Sequence, residues 1–451
     1  MSDSHFLCLV NKERPRLELD YQSVQISSVN LLGTGLTDQL PLSLTQIDAS
    51  DGNLCAKSAR LWESLLERHR VPYVLLRVAD MRMSLGSKVT AIALYEEVNS
   101  ILGDVPLGKW IDEARLSCMK ETAELLSFYK SDSAIFDPSL KWKPHVADQP
   151  FPDDECKLSD RDALEIEKHW KCLKCNKMER EYLRKQCLET NYIEGTFCFD
   201  GSTDRKIFMQ GFETDTSILK DPIRGSVRCL DTALDILRDT EKALDEIYTF
   251  LDPDNPRELT VPLICSIHAT LMKTSRVLYD ESNYADKHLR YTNIGVTRQT
   301  SRVDVTVEII RDDKAVRLQF CPWDEVDAEL ARFCKRFNEI IRHPSMDPFA
   351  CAAWISHVFV TIHPFEDGNG RMSRILASIP LLRRGLPPIC VSRSWQSAYV
   401  LNLNRVRCGD PTDPLRFLKL VDTLAYATDS ALGTVGLTGM VHRADFDRTY
   451  L

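Results

Sequence analysis

Two apolar stretches, Ala350 to Ile362 and Ile375 to Leu382, are joined by twelve residues of a different chemistry, His363-Pro364-Phe365-Glu366-Asp367-Gly368-Asn369-Gly370-Arg371-Met372-Ser373-Arg374. The first stretch belongs to an uncharged run from Pro348 to Phe365 that holds two prolines, two histidines, a Ser and a Thr. Those polar groups suit a buried core helix better than a membrane span. Pro364 ends that helix, and a second buried helix is expected to start at about Arg371. A chain with two adjacent all-apolar helices must surround them with others, so the pattern asks for a helical core with a polar turn at one end.

The turn carries more polar specialists than a connection needs. Gly368, Asn369 and Gly370 tolerate left-handed backbone, so successive N–H groups can point inward. The free N–H groups and positive dipole end of the following helix face the same way. Arg371 and Arg374 lie three apart in that first turn, where cations oppose the dipole and only a bound anion explains them. Polyphosphate fits such a cradle with two guanidinium forks. Asp367 is a hard-oxygen ligand suited to Mg2+, and His363 is placed to act as a general base on a hydroxyl. Together these residues describe phosphoryl or nucleotidyl transfer. The plain alternative is a glycine-rich connection with a capping His and solvated arginines.

The rest of the chain is ordinary globular material, 43% hydrophobic and 27% charged, which excludes a mostly disordered protein. Fifty-seven basic against 66 acidic residues leave a net charge of −9, so bulk nucleic-acid binding is not expected. Fifteen cysteines without framework spacing point to a reducing compartment, cytosol or nucleus. Neither a membrane anchor nor a signal peptide is expected, since Phe6 to Val10 is too short an apolar run.

Residues 1–55 receive no assignment. Helical spacing defines an N-terminal module over 56–130, for which target recruitment and dimerisation are the roles left open, and a Pro- and Asp-rich linker follows over 131–158. A helical extension covers 159–257, with one long helix from Ser159 to Ile193 stopped by Gly195 and another from Val227 to Leu251. A helical core covers 258–427, with strands Arg302 to Ile310 and Ala315 to Phe320 around the turn Arg311-Asp312-Asp313, and 428–451 are read as a C-terminal tail. The fold class is therefore all-α with one inserted β-hairpin. His268 and His357 read as core histidines, Asp252 and Asp254 as a solvated turn, and Cys172 and Cys175 as helix cysteines rather than metal ligands.

The turn resembles the signature of the Fic (Fido) domain family, His-Pro-Phe-x-(Asp/Glu)-Gly-Asn-Gly-Arg-x-x-Arg, at all nine specified positions. That resemblance implies a Fic-type helical bundle with a β-hairpin flap, ending here in Phe320-Cys321-Pro322, that clamps a target segment by adding a strand. It implies transfer of AMP from Mg-ATP to a Ser, Thr or Tyr hydroxyl of a target protein. His363 would take the hydroxyl proton, and Asp367 would hold Mg2+. Gly368, Asn369, Gly370 and Arg371 would grip phosphates, and Arg374 would reach the γ-phosphate. Trp395, Tyr399, Leu403 and Asn404 resemble the adenine and ribose wall, while Arg407 stands where relatives place Asn and Asp286-Lys287-His288-Leu289-Arg290 stands near the flap's start. Thr190-Asn191-Tyr192-Ile193-Glu194-Gly195 resembles the family's inhibitory motif, which implies a salt bridge from Glu194 to Arg374. The same family includes enzymes that remove AMP, and a lapsed nucleotide-binding scaffold is the non-enzymatic alternative.

Overall fold

The structure is a computed structural model that describes residues 11–17, 19, 56–131, 136–176, 178–213, 215–251, 257–280, 288–311, 314–343, 345–413 and 415–449. Most of 1–55, the acidic pair Asp252 and Asp254, Asp286 and Lys287, and the hairpin turn Asp312-Asp313 lie outside the described residues. The chain divides into two compact units.

The first unit takes Met1–Ser131, Thr274–Asn293 and Thr300–Val303. It contains α1 (Ala56–Arg68), α2 (Pro72–Ser84), α3 (Lys88–Leu102) and α4 (Val105–Lys130), with a short antiparallel pair β1 (Val277–Asp280) and β2 (His288–Tyr291). Gly103, at φ 65°, ends α3, and the Asp104 carboxylate accepts the Leu107 N–H at 2.7 Å to start α4. Trp62, Leu75, Val78 and Tyr95 form its apolar centre. A buried polar knot crosses that centre: Arg14 donates to Asp80 at 2.7 Å, and the Tyr95 hydroxyl donates to the same carboxylate at 2.6 Å.

The second unit takes Asp132–Lys273, Ile294–Gln299 and Asp304–Leu451. Its helices are α5 (Asp160–Cys175), α6 (Glu179–Tyr192), α7 (Gly201–Gln210), α8 (Leu230–Ile247), α9 (Val261–Leu271), α10 (Val326–Ile340), α11 (Pro348–Ile362), α12 (Asn369–Arg383), α13 (Gln396–Cys408) and α14 (Leu418–Thr449). The hairpin is β3 (Thr306–Arg311) paired with β4 (Lys314–Gln319), with Thr306 opposite Gln319. The protein is all-α with a small β component. The second, four-residue strand pair is too short to leave an alternation in the sequence.

Helices α11 and α12 are the centre of this unit, and every residue of α11 except Pro348 and Val360 is buried. Asp347 starts α11 by accepting the N–H groups of Phe349 (2.8 Å) and Ala350 (3.0 Å), with Pro348 in the first turn.

Several boundaries differ from the sequence reading. The helix expected to run from 159 to 193 is broken after Cys175, where the Asn176 side chain caps the Cys172 carbonyl at 2.9 Å. The expected linker is packed: Phe136 bridges to Arg317 on β4, and Leu140 is buried with Leu318 and Phe320. Residues 428–449, read as a tail, continue α14. No helix among the described residues is long and apolar enough to cross a membrane, and none of their His, Cys, Asp and Glu side chains cluster in threes as a metal cage.

Candidate active site

His363 is the C-cap of α11 and sits in the left-handed region at φ 54°, ψ 60°, a conformation that costs a non-glycine residue roughly 1–2 kcal/mol. The fully buried Arg298 holds it there. Its Nε donates to the His363 carbonyl at 2.7 Å, and its Nη2 donates to the carbonyls of Cys321 (2.6 Å) and Ile362 (3.3 Å). The Arg298 N–H adds a bond to the Pro364 carbonyl at 2.8 Å, and Asp304 balances the charge at 3.6 Å. One cation thus fastens the histidine turn to the foot of the hairpin.

The imidazole lies flat on Phe320, with ring centroids 3.8 Å apart. Its Nδ1 stands 3.3 Å from the Val360 carbonyl. A carbonyl can only accept, so this contact assigns the proton to Nδ1 and leaves the Nε2 lone pair for chemistry. Burial, then the charges of Arg298 and Arg407, push the imidazole down to about 3, well below the value expected of a free histidine.

The turn closes on itself. Asn369 Nδ2 donates to the Phe365 carbonyl at 2.8 Å, while its Oδ1 accepts the Phe365 N–H at 3.0 Å. The Asn369 side chain is thus committed to the backbone of the turn. Helix α12 starts at Asn369, two residues earlier than expected, with Gly368 at φ 78° as its N-cap. A Cβ on Gly368 would meet Met272 Sδ at 2.7 Å, so both the space and the backbone require glycine there.

His268 supports the turn from below. Its Nδ1 accepts the Gly295 N–H at 3.1 Å, which leaves the proton on Nε2 to donate to the Asp367 carbonyl at 3.0 Å, and its ring stacks on Phe365 at 3.7 Å. Burial pushes this histidine down to about 4. The unfolded chain therefore binds a proton near pH 6.5 that the folded chain refuses until about 4, so stability rises with pH across that window and is lost on acidification. Between pH 7.5 and 5 this one group should cost on the order of 2 kcal/mol. Thermal melts should show the advantage of wild type over His268→Gln shrinking over that range; a constant difference would contradict the neutral, buried assignment.

Asp367 is one-third exposed at the rim of the turn. Its Oδ1 accepts the Gly368 N–H at 2.6 Å and stands 3.9 Å from Arg371 Nη2. A single hard carboxylate at the opening suits Mg2+ shared with phosphate oxygens, not an all-protein cage.

The segment ending α6 reaches the turn from the other side. Arg374 Nε donates to Thr190 Oγ1 at 2.8 Å, and its Nη2 donates to the Thr190 carbonyl (3.0 Å) and Glu194 Oε1 (2.7 Å). Arg371 donates to Asn191 Oδ1 at 3.3 Å, and Asn191 in turn donates to Thr240 Oγ1 on α8 at 3.1 Å. The Glu194 carboxylate occupies the place that a Cβ on Gly370 would take. It therefore lies against the first turn of α12, where the helix dipole favours negative charge. Gly195, at φ 68°, ends the segment, and Gln396 Nε2 donates to the Ile193 carbonyl at 2.6 Å.

Tyr399 and Asn404 both lie on α13. Tyr399 is buried beside Ser356 and Ser373, and Asn404 is half-buried. Arg298, His268 and Gln396 escaped the sequence reading as parts of the site, and Asn191 was named there only within the inhibitory motif. Their partners lie 65 to 203 residues away, beyond any local pattern.

Residues 258–381 match the Fic/DOC family. A Fido domain-containing protein of Dictyostelium discoideum is 41% identical over 68 residues, 15% of this chain and 48% of that protein. Protein adenylyltransferase Fic of Drosophila persimilis is 34% identical over 108 residues, 22% of this chain and 21% of that protein. The chain thus spans about half of the first relative and about a fifth of the second. The crystal structure of a Fic domain containing signaling protein from Bacteroides thetaiotaomicron superposes at a TM-score of 0.46 with 18% identity, over 62% of this chain and 97% of that one. With the signature intact at 363–374 and the matching stretch running from α9 into α12, the chain carries a domain of the Fic/DOC family.

Proposed function

We propose that this domain transfers AMP from Mg-ATP to a Ser, Thr or Tyr hydroxyl of a target protein, and that Glu194 restrains it. The observation that carries the proposal is the position of the Glu194 carboxylate: an anionic oxygen sits against the first turn of α12 and on the Arg374 fork. A site that accepts those oxygens is built for anions, and similarity to relatives named adenylyltransferase supports reading that anion as a nucleoside triphosphate.

In the reaction the target hydroxyl oxygen forms a bond to the α-phosphorus, and the bond from that phosphorus to the α–β bridging oxygen breaks. Pyrophosphate leaves. His363 Nε2 takes the hydroxyl proton, with the ring held by Phe320 and Arg298. The N–H groups of the first α12 turn, together with Arg371, bind the phosphates. Arg374 binds the terminal phosphate once Glu194 withdraws. Asp367 would hold Mg2+, which supplies charge neutralisation on the phosphates. The hairpin β3–β4 takes the target segment by strand addition.

Incubation with Mg-ATP followed by intact mass measurement should show addition of one or more AMP units to the protein itself or to a captured target. Nucleotide binding without any adduct, on wild type and on a Glu194→Gly variant, would favour a scaffold. Loss of AMP from pre-modified target in the absence of ATP would favour the reverse activity.

A further inference from the structure

Arg407 departs from the family pattern, and the reaction above gives it no part. In the structure it stands behind the imidazole. Helix α11 ends at Ile362, and the residue four beyond Val360 is Pro364, which has no N–H to give. The Val360 carbonyl is therefore left without its helical donor, and it is this carbonyl that His363 Nδ1 approaches at 3.3 Å. Arg407 Nη2 stands 3.5 Å from the same oxygen and donates to Thr361 Oγ1 at 3.1 Å. Its guanidinium carbon also lies 5.3 Å from the centroid of the Phe320 ring, on which His363 is stacked at 3.8 Å.

One side chain thus touches both surfaces that fix the imidazole, the acceptor of its Nδ1 proton and the aromatic platform against its face. The charge itself works against proton uptake. Burial, then Arg298 and Arg407, disfavour a protonated ring, while the Val360 carbonyl and Asp367 favour one. An arginine kept here for its charge alone would weaken the base, so its use lies in geometry. The negative dipole end of α11 accommodates the cation beside that helix's last turn.

We propose that Arg407 is a positioning residue for His363: by holding the Val360 carbonyl and the Phe320 ring, it keeps the proton on Nδ1 and the Nε2 lone pair free for the target hydroxyl. This rests on the reading of His363 as the general base. Without Arg407 the Val360 carbonyl and the aromatic platform lose a shared support, and the ring can take either tautomer.

Arg407 is half-buried in the last turn of α13, where Gln and Lys keep the helix. In the Glu194→Gly background, Arg407→Gln should lower kcat for AMP incorporation about tenfold, a part of what a positioned base supplies, with KM for ATP unchanged. Arg407→Lys, which keeps a donor for Thr361, should restore most of that rate. With His363→Ala also present, Arg407→Gln should change the residual rate less than about twofold, because residues that act as one unit are not additive. Nitrogen NMR of protein carrying isotopically enriched histidine reads the ring without any reaction. The His363 signals, identified by their loss in His363→Ala, should show Nδ1 protonated in the parent at neutral pH and a mixture of tautomers in Arg407→Gln. The inference is overturned if Arg407→Gln costs the same rate with and without the imidazole, or if its His363 nitrogen signals match those of the parent. A protein that transfers no AMP would remove the proposed reaction instead, and the nitrogen spectra alone would then decide whether Arg407 positions the ring.

Discussion

Replacing Glu194 by Gly is expected to raise AMP transfer by roughly 10- to 100-fold. On the proposed function the terminal phosphate would reach Arg374 only by displacing a carboxylate already hydrogen-bonded at 2.7 Å. A hydrogen bond to a charged group is worth about 1.5–3 kcal/mol, which corresponds to that range of occupancy. The substitution removes the competitor and leaves Arg374 oriented by both oxygens of Thr190, at 2.8 and 3.0 Å. The fork therefore stays in place while its anion site opens. Incorporation of label from ATP labelled in the α-phosphate, compared between the two proteins at equal concentration, gives the ratio. An unchanged rate would mean that the contact seen between α6 and α12 does not limit nucleotide seating.

The second large effect runs the other way. In the Glu194→Gly background, His363→Ala should reduce transfer by about 10²- to 10⁴-fold, the contribution of a positioned general base, with ATP affinity nearly unchanged. The backbone of position 363 is held through its carbonyl by Arg298, so the turn survives the loss of the ring. Since burial and the two neighbouring arginines hold His363 near 3, the base stays unprotonated well below neutrality. The ratio of the two rates should accordingly stay flat between pH 8 and 5.5, whereas an ordinary histidine would lose its advantage below about 6.5. A rate that declines with an apparent pKa near 6.5 would show that the ring is open to solvent in the working enzyme.

The 363–374 turn was legible in the sequence because its residues are contiguous and each type has a backbone or electrostatic reason to be there. Glu194 was legible through a short pattern whose meaning depends on the turn it faces. What could not be read is the scaffolding that spans distance. Arg298 looks like one more charge in a polar stretch, and His268 like a satisfied core histidine, until tertiary contacts show which carbonyls they hold. The closure of Asn369 onto Phe365 is local, yet the same side chain fits a ligand role equally well on paper. The break after Cys175 escaped notice because the apolar periodicity continues across it, and α7 because its sequence, Gly-Ser-Thr-Asp at the start, reads as loop. The packing of Leu140 against the hairpin is invisible in a segment dominated by proline and aspartate.

Arg298 has a bearing on any attempt at module exchange. Because the same guanidinium supports the carbonyl of His363 and that of Cys321, a hairpin grafted from another protein would arrive without its anchor unless the preceding loop travelled with it. On the proposed reading of the hairpin, variation in target choice is therefore best sought on β3 and β4 at positions remote from this anchor, where it leaves the geometry of the imidazole undisturbed.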